Sequence, residues 1–535
     1  MKKLLIPFSE THRFSTIVDD YFSGNDKLKP FYRHLPVAQS FNEVIKAKQS
    51  QPVSRDVLAD VLLSQYLPLA DTDHHAVVSK AIDSLRDSKT FTVTTGHQLH
   101  IFTGPLYSIY KIVSTIKLAG HLSANHPDYR FVPVFWMATE DHDFEEINHI
   151  NLFGKKLTWE HPHGGAAGRL DTTGLSVLCE EIKSLLRENQ ELIGVFEKAY
   201  TSGHSLADAT RKIMHHFFGS YGLVIIDGDY PDLKALFKKE MVADIFDNTP
   251  FKCVSKTSEK MGTFYKIQVQ PREINHFYLD GGIRERIVAS GDGNFEVLNT
   301  GLRFTKDEMR ELIELHPEKL SPNVVMRPLY QEKILPNLAY IGGPGELNYW
   351  FQYGDLFEAL AIPFPVLMLR NCFLWLDKQV MAKLRKLGVD PLSVFKSTET
   401  LLLEILEKSS DVSLSTEKLQ EAIQEHFADL ASRLSRVDAT LVTTVESEKQ
   451  KFINAVAVIE EKARRALKKR NETQVTQLKS IKDKLFPDDG LQERFDNIIP
   501  YLAQYGMGFI QSVYECADPF PDQFGVIIDD ESINN

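Results

Sequence analysis

An α/β body built on a mostly parallel sheet, continued by a long helical coiled-coil arm, is the architecture predicted by three observations. Short apolar, β-branched runs recur through the first part of the chain, and several are followed by helical patterns. The intervals between them are too long for simple crossovers, so the stretches at about 150–220 and 235–320 read as insertions. From Asp377 to Leu485 the composition turns to Lys, Glu, Leu and Ala, with no Gly or Pro after Pro391, as long helices require.

The first 90 residues or so mix helical periodicity with polar breaks and read as a lead-in packed on the body. Phe91–Thr95 reads as a strand interrupted by Gly96. After a loop containing Gly104, Pro105 suits a first helical position, and Leu106, Ile109, Tyr110, Val113 and Ile116 recur on one helical face. Phe131–Met137 is a second strand, in which Pro133 argues against an interior place. Leu223–Asp227, Leu338–Ile341 and Pro365–Leu369 are further strands. In the arm, Phe452, Ala455, Ile459, Ala463 and Ala466, then Val475, Leu478, Ile481 and Leu485, step by three or four like a coiled-coil seam. Pro487-Asp488-Asp489-Gly490 stops the helices. The expected divisions are a body over 1–376, an arm over 377–486, and a segment over 487–535 that returns to the body and frays after Ile528.

With 61 Lys and Arg against 73 Asp and Glu, the formal charge of −12 opposes sequence-independent binding to nucleic acid. No apolar run approaches the roughly 20 residues of a membrane span, and the opening apolar residues end at Pro7 without an export signal. The four cysteines, widely spaced and without a CxxC pair, suit a reducing cytoplasmic compartment and read as packing residues.

Three stretches carry candidate chemistry. In the first, Thr95, Gly96, His97, Gln98, His100, Thr103 and Gly104 lie between a strand and a helix, where backbone N–H groups and the helix dipole favour an anion. A tight turn capped by histidines explains the same residues, and no phosphate-loop motif identifies a nucleotide. In the second, Asp141, His142 and Asp143 follow a strand, at the rim where open α/β sheets bind ligands. The carboxylates can take a proton from an amine, with His142 to shuttle it, or the group can hold a divalent metal, and a solvated acidic loop is the alternative. In the third, Arg327 can grip a carboxylate or phosphate, while Gly342, Gly343 and Gly345 permit close backbone approach ahead of Glu346 and Asn348. A surface ion pair would equally explain Arg327.

The segments Thr95–Lys111 (TGHQ…FTGPLY…YK), Pro133–His149 (PVFWMATEDHDFEEINH) and Asn323–Trp350 (NVVMRPLYQEKILPNLAYIGGPGELNYW) together resemble the BshC family, the cysteine ligases of bacillithiol biosynthesis. The resemblance extends to the arm and to LFPDDGLQER at Leu485–Arg494. It implies a Rossmann-like core similar to class I nucleotidyl-transfer enzymes and a coiled coil that supports a homodimer. It also implies amide formation between cysteine and glucosaminyl malate with ATP, through an acyl adenylate or an acyl phosphate. On that basis Gly96, His97, Thr103 and Gly104 would bind nucleotide or activated acyl group, Asp141, His142 and Asp143 would serve the amine or a metal, and Arg327 and Glu346 would orient substrates. Many relatives carry Gln at the position of His97, so the resemblance assigns its imidazole no obligatory role. Another adenylate-forming enzyme on the same fold, or a non-catalytic coiled-coil assembly factor, are the competing readings.

Overall fold

The computed structural model describes residues 1–186, 190–201, 204–410 and 416–529, so most of the expected frayed tail lies outside the described residues. Its chain divides into two compact units, one formed by Leu5–Phe373 with Glu493–Gly525, the other by Leu374–Gln492 with both chain ends.

The larger unit is organised by five parallel strands: β1 (Thr90–His97), β2 (Arg130–Met137), β3 (Val224–Asp227), β4 (Asn337–Gly342) and β5 (Val366–Leu369). Their spatial order is β5-β4-β1-β2-β3. The chain builds outward from β1 to one side, then returns to build β4 and β5 on the other. That reversal makes β1 and β4 the topological switch point of a Rossmann-like sheet. Helix α1 (Leu106–Asn125) crosses back over the sheet, and Leu118, Ala119 and Leu122 join Phe91, Val93, Leu338, Ile341, Val366 and Met368 in one core. At the N-cap, Pro105 takes an extended ψ of 153° and stands one residue before the expected position.

Two strand expectations need correction. β1 does not stop at Gly96, because Gly96 and His97 stay in register with Trp136 and Met137 of β2. Pro133 does lie in an interior strand. Pairing of β2 with β3 begins only at Val134, so beside Pro133 a single neighbour runs alongside and no ladder donor is missed on the other edge. Register is reinforced by buried polar groups: Thr92 and Thr94 donate to Asn337 Oδ1 at 3.2 and 2.8 Å. Asn337 donates in turn to Glu332 (2.6 Å), which pairs with buried Lys48 at 2.9 Å.

The two long intervals hold their own structure. The first contains the hairpin His149–Leu152 with Lys155–Thr158 and the helices Leu175–Leu186 and Leu206–Phe218. The second contributes four strands of a separate antiparallel sheet that Leu320–Pro322 completes. Its strand Ile283–Ala289 is rich in charge, so no apolar run announces it.

In the other unit, Glu417–Leu434 and Leu441–Arg470 form a helical hairpin in which Phe427 and Phe452 approach at 6.2 Å between ring centroids. Of the expected seam, Leu478, Ile481 and Leu485 are buried, and the earlier half is covered only in part. Val445 and Val456 are buried, whereas Ile459 is 65% exposed and Phe452 56%. At helical spacing these four residues share one face, which the hairpin covers only in part.

Candidate active site

At the carboxyl ends of β1 and β4 a cavity of about 610 Å³ opens, lined by residues of all three sequence stretches. This is where an open α/β sheet offers a ligand crevice, because the diverging connections on either side of the switch point leave the strand ends uncovered.

The floor is a buried charge pair. Lys111, one turn beyond Tyr107 on α1, is 2.5 Å from Glu346 and donates to Gly96 O at 2.7 Å. Glu346 lies in the first turn of α3 (Pro344–Trp350), where its carboxylate also accepts from Gly343 N (2.8 Å) and Tyr340 (2.6 Å). Burial pushes the Glu346 carboxyl up, but Lys111 and these donors outweigh it and hold the acid below its ordinary value. His97 stands beside them with its Nε2 buried and unpartnered. Burial, and then the neighbouring cation Lys111, press its basicity well down. It therefore offers a neutral imidazole to a ligand, without a charge.

The acidic wall follows β2. Gln98 divides its amide nitrogen between Asp141 (2.7 Å) and Glu146 (2.8 Å), holding two carboxylates close together. No Lys or Arg makes an ion pair with either among the described residues. Next to them, Arg284 Nη1 donates to His142 Nδ1 at 2.6 Å. A guanidinium has only donors, so Nδ1 must be the unprotonated nitrogen and Nε2 carries the hydrogen. Burial and Arg284 both lower the basicity of His142. The expected proton shuttle is thereby corrected: its one lone pair is already occupied. Asp141 lies 3.8 Å from the same nitrogen, too far to reverse that.

The cationic wall comes from three directions. Arg327, on α2 (Met326–Ile334), bonds Gln331 at 3.1 Å and stands over the Tyr340 ring, so it is no surface ion pair. Arg370, just past β5, grips Glu493 bidentately at 2.6 and 2.9 Å, leaving its Nε buried and without a partner. Arg494 approaches the Tyr107 ring opposite. Arg327 and Arg494 have no carboxylate within ion-pair distance among the described residues.

Of the residues singled out in the sequence, Gly96, His97, Gln98, Asp141, His142, Arg327, Gly343, Gly345 and Glu346 line the cavity. Thr95, Thr103, Gly104, Asp143, Gly342 and Asn348 do not. Thr95 donates to Ile341 O inside the sheet. Thr103 and Gly104 lie in a loop covered by the chain's late segment: Leu106 N donates to Asp496 O, and Asn497 donates to Phe102 O and Gly104 O. The first helical N–H that an anion was expected to occupy is thus satisfied by protein. Asp143 is exposed at the N-cap of a short turn of helix, and Asn348 bonds Lys266 O. Among the described residues no three His, Cys, Asp or Glu side chains gather as a ligand set for the divalent ion. The sequence reading missed Tyr107, Lys111, Glu140, Glu146, Arg284, Arg370 and Arg494 as lining residues. Lys111 had a signal, a cation within an otherwise apolar helical stretch.

Behind the acidic wall, Glu140 pairs with buried Lys234 at 2.5 Å, and Arg169 pairs with Asp229 at 2.7 Å. Gly168 bonds Thr139 O so closely that an added Cβ would fall 2.5 Å from the Thr139 Cβ. Gly168→Ala should therefore lower stability by about 1–3 kcal/mol and move Thr139 on the cavity rim. A denaturation midpoint equal to wild type would contradict this.

Residues 1–371 match the family model described as Bacillithiol biosynthesis BshC, N-terminal Rossmann-like domain, and residues 373–528 match its C-terminal coiled-coil domain. Proteins named "Putative cysteine ligase BshC" are similar along nearly their whole length. That of Flavobacterium johnsoniae is 37% identical, with 98% of this chain and 99% of the relative covered. That of Cytophaga hutchinsonii is 37% identical with 96% of each covered, and that of Salinibacter ruber 30% identical with 93% and 91% covered. With the Rossmann-like switch point, the helical second unit and these matches in hand, the chain belongs to the BshC family of bacillithiol biosynthesis.

Proposed function

We propose that this cysteine ligase joins the carboxyl group of cysteine to the amino group of glucosaminyl malate at the expense of ATP, forming the amide of bacillithiol. The observation that carries the reading is the polarity of the cavity: two carboxylates, Asp141 and Glu146, without a Lys or Arg ion-pair partner on one wall, and two arginines, Arg327 and Arg494, without a carboxylate partner on the other among the described residues. Such a site suits a reaction that brings an ammonium group to polyanionic phosphates.

Cysteine's carboxylate oxygen attacks a phosphorus of ATP, expelling pyrophosphate or ADP and leaving an acyl adenylate or an acyl phosphate. The amine nitrogen then attacks the acyl carbon and displaces AMP or phosphate. Arg327, Arg494 and the free Nε–H of Arg370 would stabilise the phosphoryl oxygens. Asp141 or Glu146 would take the amine proton, since the accepting nitrogen of His142 is held by Arg284. Gly96, Gly343 and Gly345 would let the nucleotide approach the backbone. The exposed stripe of Phe452 and Ile459 supports a homodimer through the arm, in the cytoplasm. None of the chain's described helices is long and apolar enough to cross a membrane.

Purified protein given cysteine, ATP and glucosaminyl malate should yield the thiol product by mass spectrometry, with AMP or ADP revealing the activation route. If all three substrates yield no amide while the protein remains folded, the reading fails.

A further inference from the structure

Opposite the sheet edge, the cavity is bordered by residues 266–272, a stretch that is neither helix nor strand. Its residues alternate. Ile267, Val269 and Pro271 are half-buried, while Gln268, Gln270 and Arg272 are exposed and all three line the cavity. That period of two turns one polar edge towards the ligand space, as in an extended chain.

The backbone of this strap is pinned. Fully buried Gln352 accepts from Gln268 N (3.2 Å) and Val269 N (3.0 Å) and donates to Val269 O (2.7 Å). Asn348 donates to Lys266 O at 3.2 Å, and Arg272 N donates to Asn275 Oδ1 at 3.1 Å. Yet the side chains of Gln268, Gln270 and Arg272 have no hydrogen-bond or ion-pair partner among the described residues. An anchored backbone with unengaged amides and a guanidinium is a prearranged reading edge: amides match hydroxyl groups, and a guanidinium matches a carboxylate bidentately.

We propose that this strap selects the acceptor, with Gln268 and Gln270 reading the hydroxyls of a sugar and Arg272 holding a carboxylate attached to it. The proposal rests on the ligase reading for the identity of that acceptor, a hydroxylated amine bearing carboxylates. It also gives Asn348 a positioning role, since that residue meets the strap and not the cavity.

Binding separates the two ideas. Calorimetry with glucosaminyl malate should show Arg272→Met weakening affinity roughly tenfold or more, with a smaller loss for Gln268→Ala with Gln270→Ala. Methyl glucosaminide, which lacks both carboxylates, should bind wild type and Arg272→Met equally. In turnover, the KM for the acceptor should rise in Arg272→Met while those for cysteine and ATP stay unchanged. Acceptor binding that is lost in the strap variants sustains the proposal even if wild type forms no amide, an outcome that would count only against the ligase reading. Equal acceptor binding by wild type and variants, no binding by wild type, or an effect confined to ATP or cysteine would overturn it. Arg272 is exposed and unpaired, so its substitution leaves the fold intact, which circular dichroism checks.

Discussion

Glu493→Gln should destabilise the protein by about 3–5 kcal/mol, the range for breaking a buried ion pair from one side. Arg370 and Glu493 are 1% and 0% exposed, joined by two short hydrogen bonds, and Glu493 also accepts from Phe373 N at 3.1 Å. Losing the carboxylate strands a guanidinium that cannot shed its charge, because arginine stays protonated. Asn371 O and Cys372 Sγ, its other partners, are neutral and replace little of that attraction. The double variant Arg370→Met with Glu493→Met should recover part of the loss by removing both charges. Urea midpoints for the two variants provide the check, and a midpoint for Glu493→Gln within error of wild type would refute the argument.

The largest effect on turnover is expected from Asp141→Asn combined with Glu146→Gln, a fall of about 10²–10⁴-fold. Either carboxylate alone can still receive the proton, because Gln98 holds both around the same nitrogen, so each single variant should lose less than the pair. Asp143→Asn serves as the control. Asp143 lies outside the cavity on an exposed turn, so turnover should stay close to wild type. Single-turnover rates with preformed activated cysteine would read this step directly. A double variant as fast as wild type, or an Asp143 variant as slow as the double, would reverse the assignment.

The sheet was legible because its strands are buried on both faces and therefore written as short apolar runs, Phe91–Thr95 and Leu338–Ile341 among them. The antiparallel sheet was not, since strands such as Ile283–Ala289 are charged and half-exposed. The three motifs were found, but proximity to a strand end did not tell which residues of each turn inward. Asp141 and Asp143 are two apart, yet one faces the cavity and the other solvent. Thr103 and Gly104 misled because the segment that covers them, Asp496–Asn497, is nearly four hundred positions away, and spacing along the chain carries no sign of such a contact. Separation along the chain also hid Arg370, whose partner Glu493 lies 123 positions away. His142 was misjudged through a neighbour supplied by the inserted sheet.

The stretch from Glu493 to Asn497 closes the first loop and neutralises Arg370, although it is made after more than nine-tenths of the chain. During synthesis, which runs from the amino end, the early strands emerge long before the residues that seal their crevice. A polypeptide released ahead of Glu493 would carry every strand of the parallel sheet and still lack both the counter-charge of Arg370 and the cover over the loop at Gly104.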